Sequence, residues 1–136
     1  MATTTAQITL TSTDIADNAL SISNTMTLTT AGTETGLTET TGLARKKIAS
    51  SSLADLITVA NTDVTAAKSA KVYIKNMNDR GDGTKYVDIL IKTREIGRLY
   101  GGDWMFIPWS GGSGEDIEYT ASDTTETTLE YCVFYE

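Results

Sequence analysis

The second half of the chain consists of short segments rich in apolar residues, several of which alternate with polar ones, separated by connectors rich in Gly, Asp, Asn and Ser. From residue 70 onward six such segments follow one another: AKVYIKN, KYVDILIK, EIGRLY, DWMFIPW, DIEYTA and TTLEYCVFYE. Alternation with a period of two is typical of strands that bury one face, and the connectors have the composition of tight turns. This half of the sequence therefore predicts antiparallel β-structure.

The first half is rich in threonine, which accounts for fifteen of the first 41 residues. Threonine is β-branched and favours strands. QITLTS predicts one strand, and ALSISNTMTLTTA predicts either two strands or one long strand interrupted near Asn24. Residues 32–42 are interpreted as an exposed loop. Residues 44–56 could form a short helix, but three consecutive serines disfavour it, and a strand over 55–60 is the better prediction.

Together these segments predict an all-β fold, an antiparallel, jelly-roll-like β-sandwich of about eight or nine short strands with little or no helix. A chain of 136 residues is large enough for one domain with its own core. We expect residues 1–14 to form an N-terminal arm or edge strand and residues 15–136 to form a single β-sandwich domain. The arm is inferred because residues 2–12 have strand propensity but no obvious hairpin partner.

The residue types present argue against catalysis. The chain has no histidine, so it lacks the commonest general base and the commonest zinc ligand. Its lone Cys132 excludes an intrachain disulfide and is interpreted as a small buried apolar residue. We therefore expect a protein that is not an enzyme, with no catalytic residue, no metal site, no cofactor and no small-molecule substrate.

The net charge of −7 also restricts the partners. Residues 114–136 hold seven acidic side chains and no lysine or arginine, and such a segment would repel a phosphate backbone. The basic run ARKK at 44–47 is interpreted as a solvated loop. No apolar run approaches the roughly 20 residues of a membrane span, and no secretory signal is visible at the N-terminus. We expect neither a nucleic-acid nor a membrane partner.

One connector contains Arg80-Gly81-Asp82, a tripeptide that cell-surface integrins recognise. Glycine and aspartate are also the residues that a tight turn between two strands requires, and the turn is the favoured interpretation. The same connector resembles a calcium-binding loop, but Arg80 would occupy a ligand position, which argues against a cation site.

Acidic residues close to the two tryptophans leave a lectin or glycosidase open as a rival, because paired carboxylates cleave glycosides and tryptophans stack on sugars. These residues are Asp103, Glu115, Asp116 and Glu118. A solvated sheet face is favoured, since Glu118, Glu130 and Glu136 alternate with strand residues as solvent-facing acids would.

The segment EIGRLYGGDWMFIPWS contains both tryptophans and the only proline. Gly101-Gly102 has the composition of a two-residue hairpin turn. In the strand that follows, both faces are apolar, whereas a sheet with one solvated face should alternate apolar with polar residues. One face can enter the core, and the other needs a covering loop or another protein chain. Pro108 indicates a strand end, an edge or a bulge.

The VYIKN strand, the IGRL-x-GGDW-x-x-x-PW segment and the closing EYxVFYE strand resemble small β-sandwich virion proteins of tailed bacteriophages. That group includes capsid decoration (cement) proteins and head or tail appendage proteins. The resemblance covers roughly residues 70–136, about half of the chain.

The resemblance implies a non-enzymatic decoration protein that binds the outer capsid surface and stabilises the particle. It implies the major capsid protein and further copies of this chain as partners, in a homotrimer or a dimer. The location would be the virion exterior, after synthesis in the bacterial cytoplasm. The alternative is an appendage or tail-fibre-type module that binds a host glycan or protein receptor. The expected interface residues are Ile8, Leu10, Trp104, Met105, Phe106, Ile107 and Trp109.

Overall fold

The computed structural model describes residues 3–14, 19–65, 68–81, 83–122 and 126–136. This part of the chain contains eleven strands and one short 3-10 turn, Val59–Asn61. It divides into two compact units, Met1–Thr38 and Glu39–Glu136. The boundary predicted after residue 14 therefore falls inside the first unit.

The first unit contains a two-stranded antiparallel ribbon of β1 (Thr5–Ser12) and β2 (Leu20–Thr27). Eight residue pairs connect the strands, and β2 runs through Asn24 without interruption. The expectation that residues 2–12 lack a hairpin partner is wrong, because β1 pairs with β2 along its whole length. Beyond the ribbon, the Leu37 N–H donates to the Leu28 carbonyl at 3.0 Å, and both leucine side chains are buried.

The second unit is an antiparallel β-sandwich, which confirms the predicted fold class. One sheet has the strand order β5-β10-β7-β8, and the other has the order β3-β11-β6-β9, with β4 also paired to β11. The nine strands are β3 (Glu39–Thr40), β4 (Ala44–Ile48), β5 (Ala54–Ile57), β6 (Ala70–Asn76), β7 (Tyr86–Ile91), β8 (Arg94–Tyr100), β9 (Trp104–Trp109), β10 (Ile117–Ala121) and β11 (Thr127–Tyr135).

The two strands beyond the predicted number, β3 and β4, lie where the sequence suggested a loop or a helix. The interpretation of ARKK as a loop is wrong, because β4 pairs with β11 from Ala44↔Tyr131 to Ile48↔Thr127. Ile48 is buried, whereas Lys47 is exposed and forms an ion pair with Glu126 at 2.8 Å. A run of basic side chains hides strand alternation, because the long side chains can lie over a sheet and still reach solvent.

The core lies between the two sheets and is formed by alternate residues of their strands. In β6, Val72 and Ile74 are fully buried, as the alternation of AKVYIKN predicts. Val87 and Ile89 of β7 face them from the other sheet and are also fully buried. Full burial of such a side chain contributes roughly 1.5–3 kcal/mol, so this double layer is the main source of stability in the unit.

Asn76, at the end of β6, is a fully buried polar residue that connects the sheets. Its Nδ2 donates to the Leu99 carbonyl of β8 at 3.0 Å, and its Oδ1 accepts the Asn78 N–H at 3.0 Å. A buried amide with both ends hydrogen-bonded avoids a desolvation cost of about 1–3 kcal/mol for each unpaired group. Asn76 therefore fixes β6 and β8 at this end of the sandwich.

The prediction that Gly101-Gly102 forms a hairpin between β8 and β9 is wrong, because these strands belong to different sheets. The turn is nevertheless tight, with the Asp103 N–H donating to the Tyr100 carbonyl at 2.9 Å. Gly102 has a φ of 80°, and a Cβ on Gly101 would lie 2.2 Å from the Asp79 carbonyl oxygen. This crossover between sheets therefore requires glycine at both positions of the turn, as a hairpin would.

The Arg80-Gly81-Asp82 connector also crosses between the sheets, from β6 to β7, and is not a hairpin tip. Arg80 and Gly81 are exposed. The Arg80 Nη2 donates to the Gly102 carbonyl at 3.3 Å, while Asp82 lies outside the described residues. The arginine thus has a local structural contact.

Candidate functional site

The two faces of β9 have separate environments. Met105 and Ile107 pack against the core, and Trp109 is only 4% exposed, with its indole Nε1 donating to the Glu115 carbonyl at 2.8 Å. Trp104 lies on the opposite face and is 49% exposed. Among the residues predicted as an interface, Met105, Ile107 and Trp109 therefore belong to the core face, and Trp104 and Phe106 belong to the outer one.

β9 is the edge strand of its sheet, which is one of the three positions that Pro108 predicts, and its outer side chains continue onto β6 and β11. Directly paired residues of antiparallel strands share a face. The register places Trp104 beside Lys75 and Glu130, Phe106 beside Tyr73 and Cys132, and Pro108 beside Lys71 and Phe134. We call this surface the outer aromatic face: Trp104, Phe106, Pro108, Lys71, Tyr73, Lys75, Glu130, Cys132 and Phe134.

Glu130 is buried in the outer aromatic face, so its prediction as a solvent-facing acid is wrong. Both Nε and Nη2 of the exposed Arg45 side chain lie 2.8 Å from Glu130 Oε2. The pKa of Tyr73 is raised above its ordinary value, first by burial and then by the charge of Glu130 and a hydrogen bond to it. The carboxylate is thus held between a guanidinium and a phenol.

With Glu130 neutralised by Arg45, the remaining charge of the outer aromatic face is positive. Lys75 pairs with Trp104 across the strands, and Lys71 pairs with Pro108. The Lys71 Nζ donates to Ser69 Oγ at 3.0 Å, which holds that ammonium near the sheet. The face is therefore aromatic and cationic, although the whole chain carries a net charge of −7.

Cys132 is buried, in agreement with its interpretation as a small apolar residue. Its Sγ lies 3.2 Å from Thr40 Oγ1 of the neighbouring β3 region. The thiol therefore contacts a side chain of a neighbouring strand and is shielded from solvent.

The carboxylates that suggested a glycosidase are engaged in local contacts. Asp103 accepts the Tyr100 N–H at 3.1 Å, and the Ser110 hydroxyl donates to Glu115. Asp116 accepts the Val59 N–H and Glu118 accepts the Thr93 N–H, each at 2.6 Å. Within the described residues there is no group of three or more acidic, cysteine or histidine side chains that could hold a metal ion.

Ile8 and Leu10, the remaining predicted interface residues, lie on the ribbon of the first unit. Their side chains are 40% and 46% exposed. Ile8 pairs with Asn24, and Leu10 pairs with Ile22, so they share one face of the ribbon with residues of β2.

Sequence analysis missed Tyr73, Lys75, Arg45 and Glu130 as members of a common surface. The alternation of AKVYIKN does place Lys71, Tyr73 and Lys75 on one face. Their proximity to Trp104 follows only from the pairing of β6 with β9, which no local pattern reveals.

No family model matches the chain, and no significant match was found among curated proteins or solved structures. No helix in the described ranges is long and apolar enough to cross a membrane.

Proposed function

We propose that this protein is a non-enzymatic structural component of a tailed-phage virion. In this proposal it is a decoration protein that binds the outer surface of the capsid and stabilises the particle. Its partners are the major capsid protein and further copies of the chain, as a homotrimer or a dimer. It is made in the bacterial cytoplasm and resides on the exterior of the virion.

The observation that carries the proposal is the outer aromatic face. Trp104 is half exposed on the face of β9 that does not enter the core, and Phe106 and Phe134 lie on the same side of the sheet. Aromatic residues dominate the energetics of protein interfaces, because each buries a large area with few rotatable bonds. A sheet face of this kind suits a broad protein partner better than a small ligand that binds in a cavity.

The charges on this face indicate what the partner surface must offer. Lys71 and Lys75 flank the aromatic side chains, and Glu130 is already paired with Arg45. A capsid surface with acidic groups around an apolar patch would complement this arrangement. We therefore expect attachment to weaken as the salt concentration rises, because added salt screens the attraction between the lysines and acidic groups of the partner.

The experiment is a co-sedimentation assay with expanded capsids that lack the protein. Trp104→Ala should reduce attachment at least tenfold. The separate variant Lys75→Glu should also reduce attachment, with its larger effect at low salt. Tyr100→Ala is the matched control, because Tyr100 is an exposed aromatic residue of the other sheet. Wild-type protein that does not attach, or a Trp104→Ala variant that attaches normally, would refute the proposal.

A second candidate, a phage appendage or tail-fibre-type module that binds a host glycan or protein receptor, has one observation in its favour. A half-exposed tryptophan beside a lysine can stack on a sugar ring that carries an acidic group. Glycan-array binding that Trp104→Ala abolishes, without capsid attachment by the wild type, would select this candidate. Trp109 is not a suitable probe, because it belongs to the core.

A further inference from the structure

A cleft lies at one end of the sandwich, where strands of both sheets begin or end. Its walls come from the start of β6, the end of β7 and the end of β9, and its volume is about 460 Å³. Small-molecule sites in proteins typically have volumes of roughly 300–1,000 Å³. We call this cavity the end cleft, and its polar lining residues are Lys68, Ser69, Lys71, Ser110 and Glu115.

Two ammonium groups give the end cleft a cationic part. The Lys71 Nζ donates to Ser69 Oγ at 3.0 Å and to the Ala70 carbonyl at 3.4 Å. The Lys68 Nζ donates to the main-chain oxygen of Glu136 at 3.1 Å. An ammonium has three N–H donors, so these contacts orient both groups and leave each with capacity for a further acceptor. In a chain of net charge −7, two such groups on one cleft complement an anionic group of a ligand.

The end cleft also contains one acceptor group, the carboxylate of Glu115. The Ser110 hydroxyl donates to this carboxylate, the Glu115 N–H donates to the Gly112 carbonyl at 2.9 Å, and the Trp109 indole donates to the Glu115 carbonyl at 2.8 Å. These contacts fix the residue in its turn. Among the described residues, neither lysine of the cleft forms an ion pair with Glu115. A carboxylate only accepts hydrogen bonds, so Glu115 complements hydroxyl groups and not a second anion.

We propose that the end cleft binds a sugar acid, a ligand that carries a carboxylate and several hydroxyl groups on one ring. The two lysines bind the carboxylate, and Glu115 accepts hydrogen bonds from ring hydroxyls. Ile91 and Pro108, which are apolar lining residues of the cleft, contact the C–H groups of the ring. This site goes beyond the proposed function and does not depend on attachment to a capsid.

The ligand can be a free sugar acid or one residue of an acidic glycan, because both present the same chemistry. Lys71 and Pro108 belong to the end cleft and also to the outer aromatic face. A glycan bound in the cleft would therefore extend over Phe106, which is the next outward side chain of β9. A single ring in an open cleft makes few contacts, so we expect a dissociation constant in the millimolar range for the free sugar acid.

The test is an NMR titration of the ¹⁵N-labelled full chain with D-galacturonate, without capsids. Trp109 lines the cleft, so its indole N–H signal reports binding, and comparison with the Trp104→Phe variant distinguishes the two indole signals. D-galactose lacks the carboxylate and propionate lacks the hydroxyls. Each should bind about tenfold more weakly than galacturonate, because each leaves part of the site without a partner. A trimer of galacturonate that binds more tightly than the monomer would identify the ligand as part of a glycan, and equal binding would indicate a free sugar acid.

Substitutions separate the two parts of the site. Lys71→Met keeps the apolar stem and should weaken galacturonate binding about tenfold or more. The matched control is Lys47→Met, which removes the same charge from an exposed lysine outside the cleft and should leave binding unchanged. Glu115→Gln should lower the preference for galacturonate over propionate, because it removes a strong acceptor for hydroxyls and a charge that repels any anion. Backbone amide signals away from the cleft show whether each variant is folded.

Three results would overturn the inference. The first is a Trp109 indole signal that does not move at tens of millimolar galacturonate. The second is a response to galactose or propionate equal to the response to galacturonate, and this comparison needs no variant to fold. The third is a loss of binding in Lys47→Met as large as in Lys71→Met, which would indicate a general effect of charge. Capsid attachment is measured separately, so either proposal can fail while the other stands.

Discussion

Trp104 and Trp109 lie five residues apart on one strand, on opposite faces, and this allows a matched test of the assigned core. We predict that Trp109→Ala strongly destabilises the second unit, whereas Trp104→Ala does so only slightly. Both substitutions remove the same side chain from β9. Any difference in stability must therefore come from the two environments.

The expected magnitudes follow from burial. Trp109 is 4% exposed, and truncating a buried tryptophan to alanine costs about 3–5 kcal/mol. Its indole also donates to the Glu115 carbonyl, and losing that hydrogen bond adds about 1 kcal/mol. Trp104 is 49% exposed and loses mainly a cross-strand contact with Lys75, which contributes roughly 0.2–1 kcal/mol.

Urea unfolding at a fixed protein concentration measures the difference. With a slope of about 2 kcal/mol per molar urea, Trp109→Ala should lower the midpoint by about 2–3 M, and Trp104→Ala by about 0.5 M or less. Unchanged slopes would show that the midpoints report stability. Equal losses for the two variants, or a larger loss for Trp104→Ala, would refute the assignment of the two faces.

Two further predictions concern buried polar groups. Asn76→Asp should destabilise the sandwich by about 3–5 kcal/mol in the same urea assay, because a carboxylate cannot donate to the Leu99 carbonyl; a loss below about 1 kcal/mol would contradict the link between the sheets. The raised pKa of Tyr73 means that the folded chain holds this proton more tightly than the unfolded chain. Its contribution to stability is therefore complete below pH 10 and is lost as the pH rises through the folded-state pKa. Tyr73→Phe should remove that loss, and Glu130→Gln should lower the Tyr73 pKa without restoring its ordinary value, because burial remains the largest cause. Urea unfolding at pH values above about 10 measures the first effect. Tyrosinate absorbance, taken as the difference from the Tyr73→Phe variant because the chain has six tyrosines, measures the second, and a Tyr73 pKa that is insensitive to Glu130→Gln would contradict the contact.

The sequence predicted which residues are buried better than it predicted which strands are neighbours. Alternation assigned Val72 and Ile74 to one face of β6, and both are in the core. The composition of Gly101-Gly102 predicts a hairpin, because a hairpin and a crossover between sheets require the same residue type at this turn. Whether the turn is a hairpin or a crossover depends on the strand pairings, β6 with β9 and β7 with β8. The residues of the turn do not determine these pairings.

Glu130 shows that the environment of a charged residue also depends on strand neighbours that the sequence pattern does not reveal. At an alternating position of a strand, an acidic residue predicts a solvated face. Its carboxylate is instead buried, because Arg45 lies opposite it on β4, 85 residues away in sequence. A buried charge is tolerated only when its partner is in place, so its burial could be predicted only from the strand order.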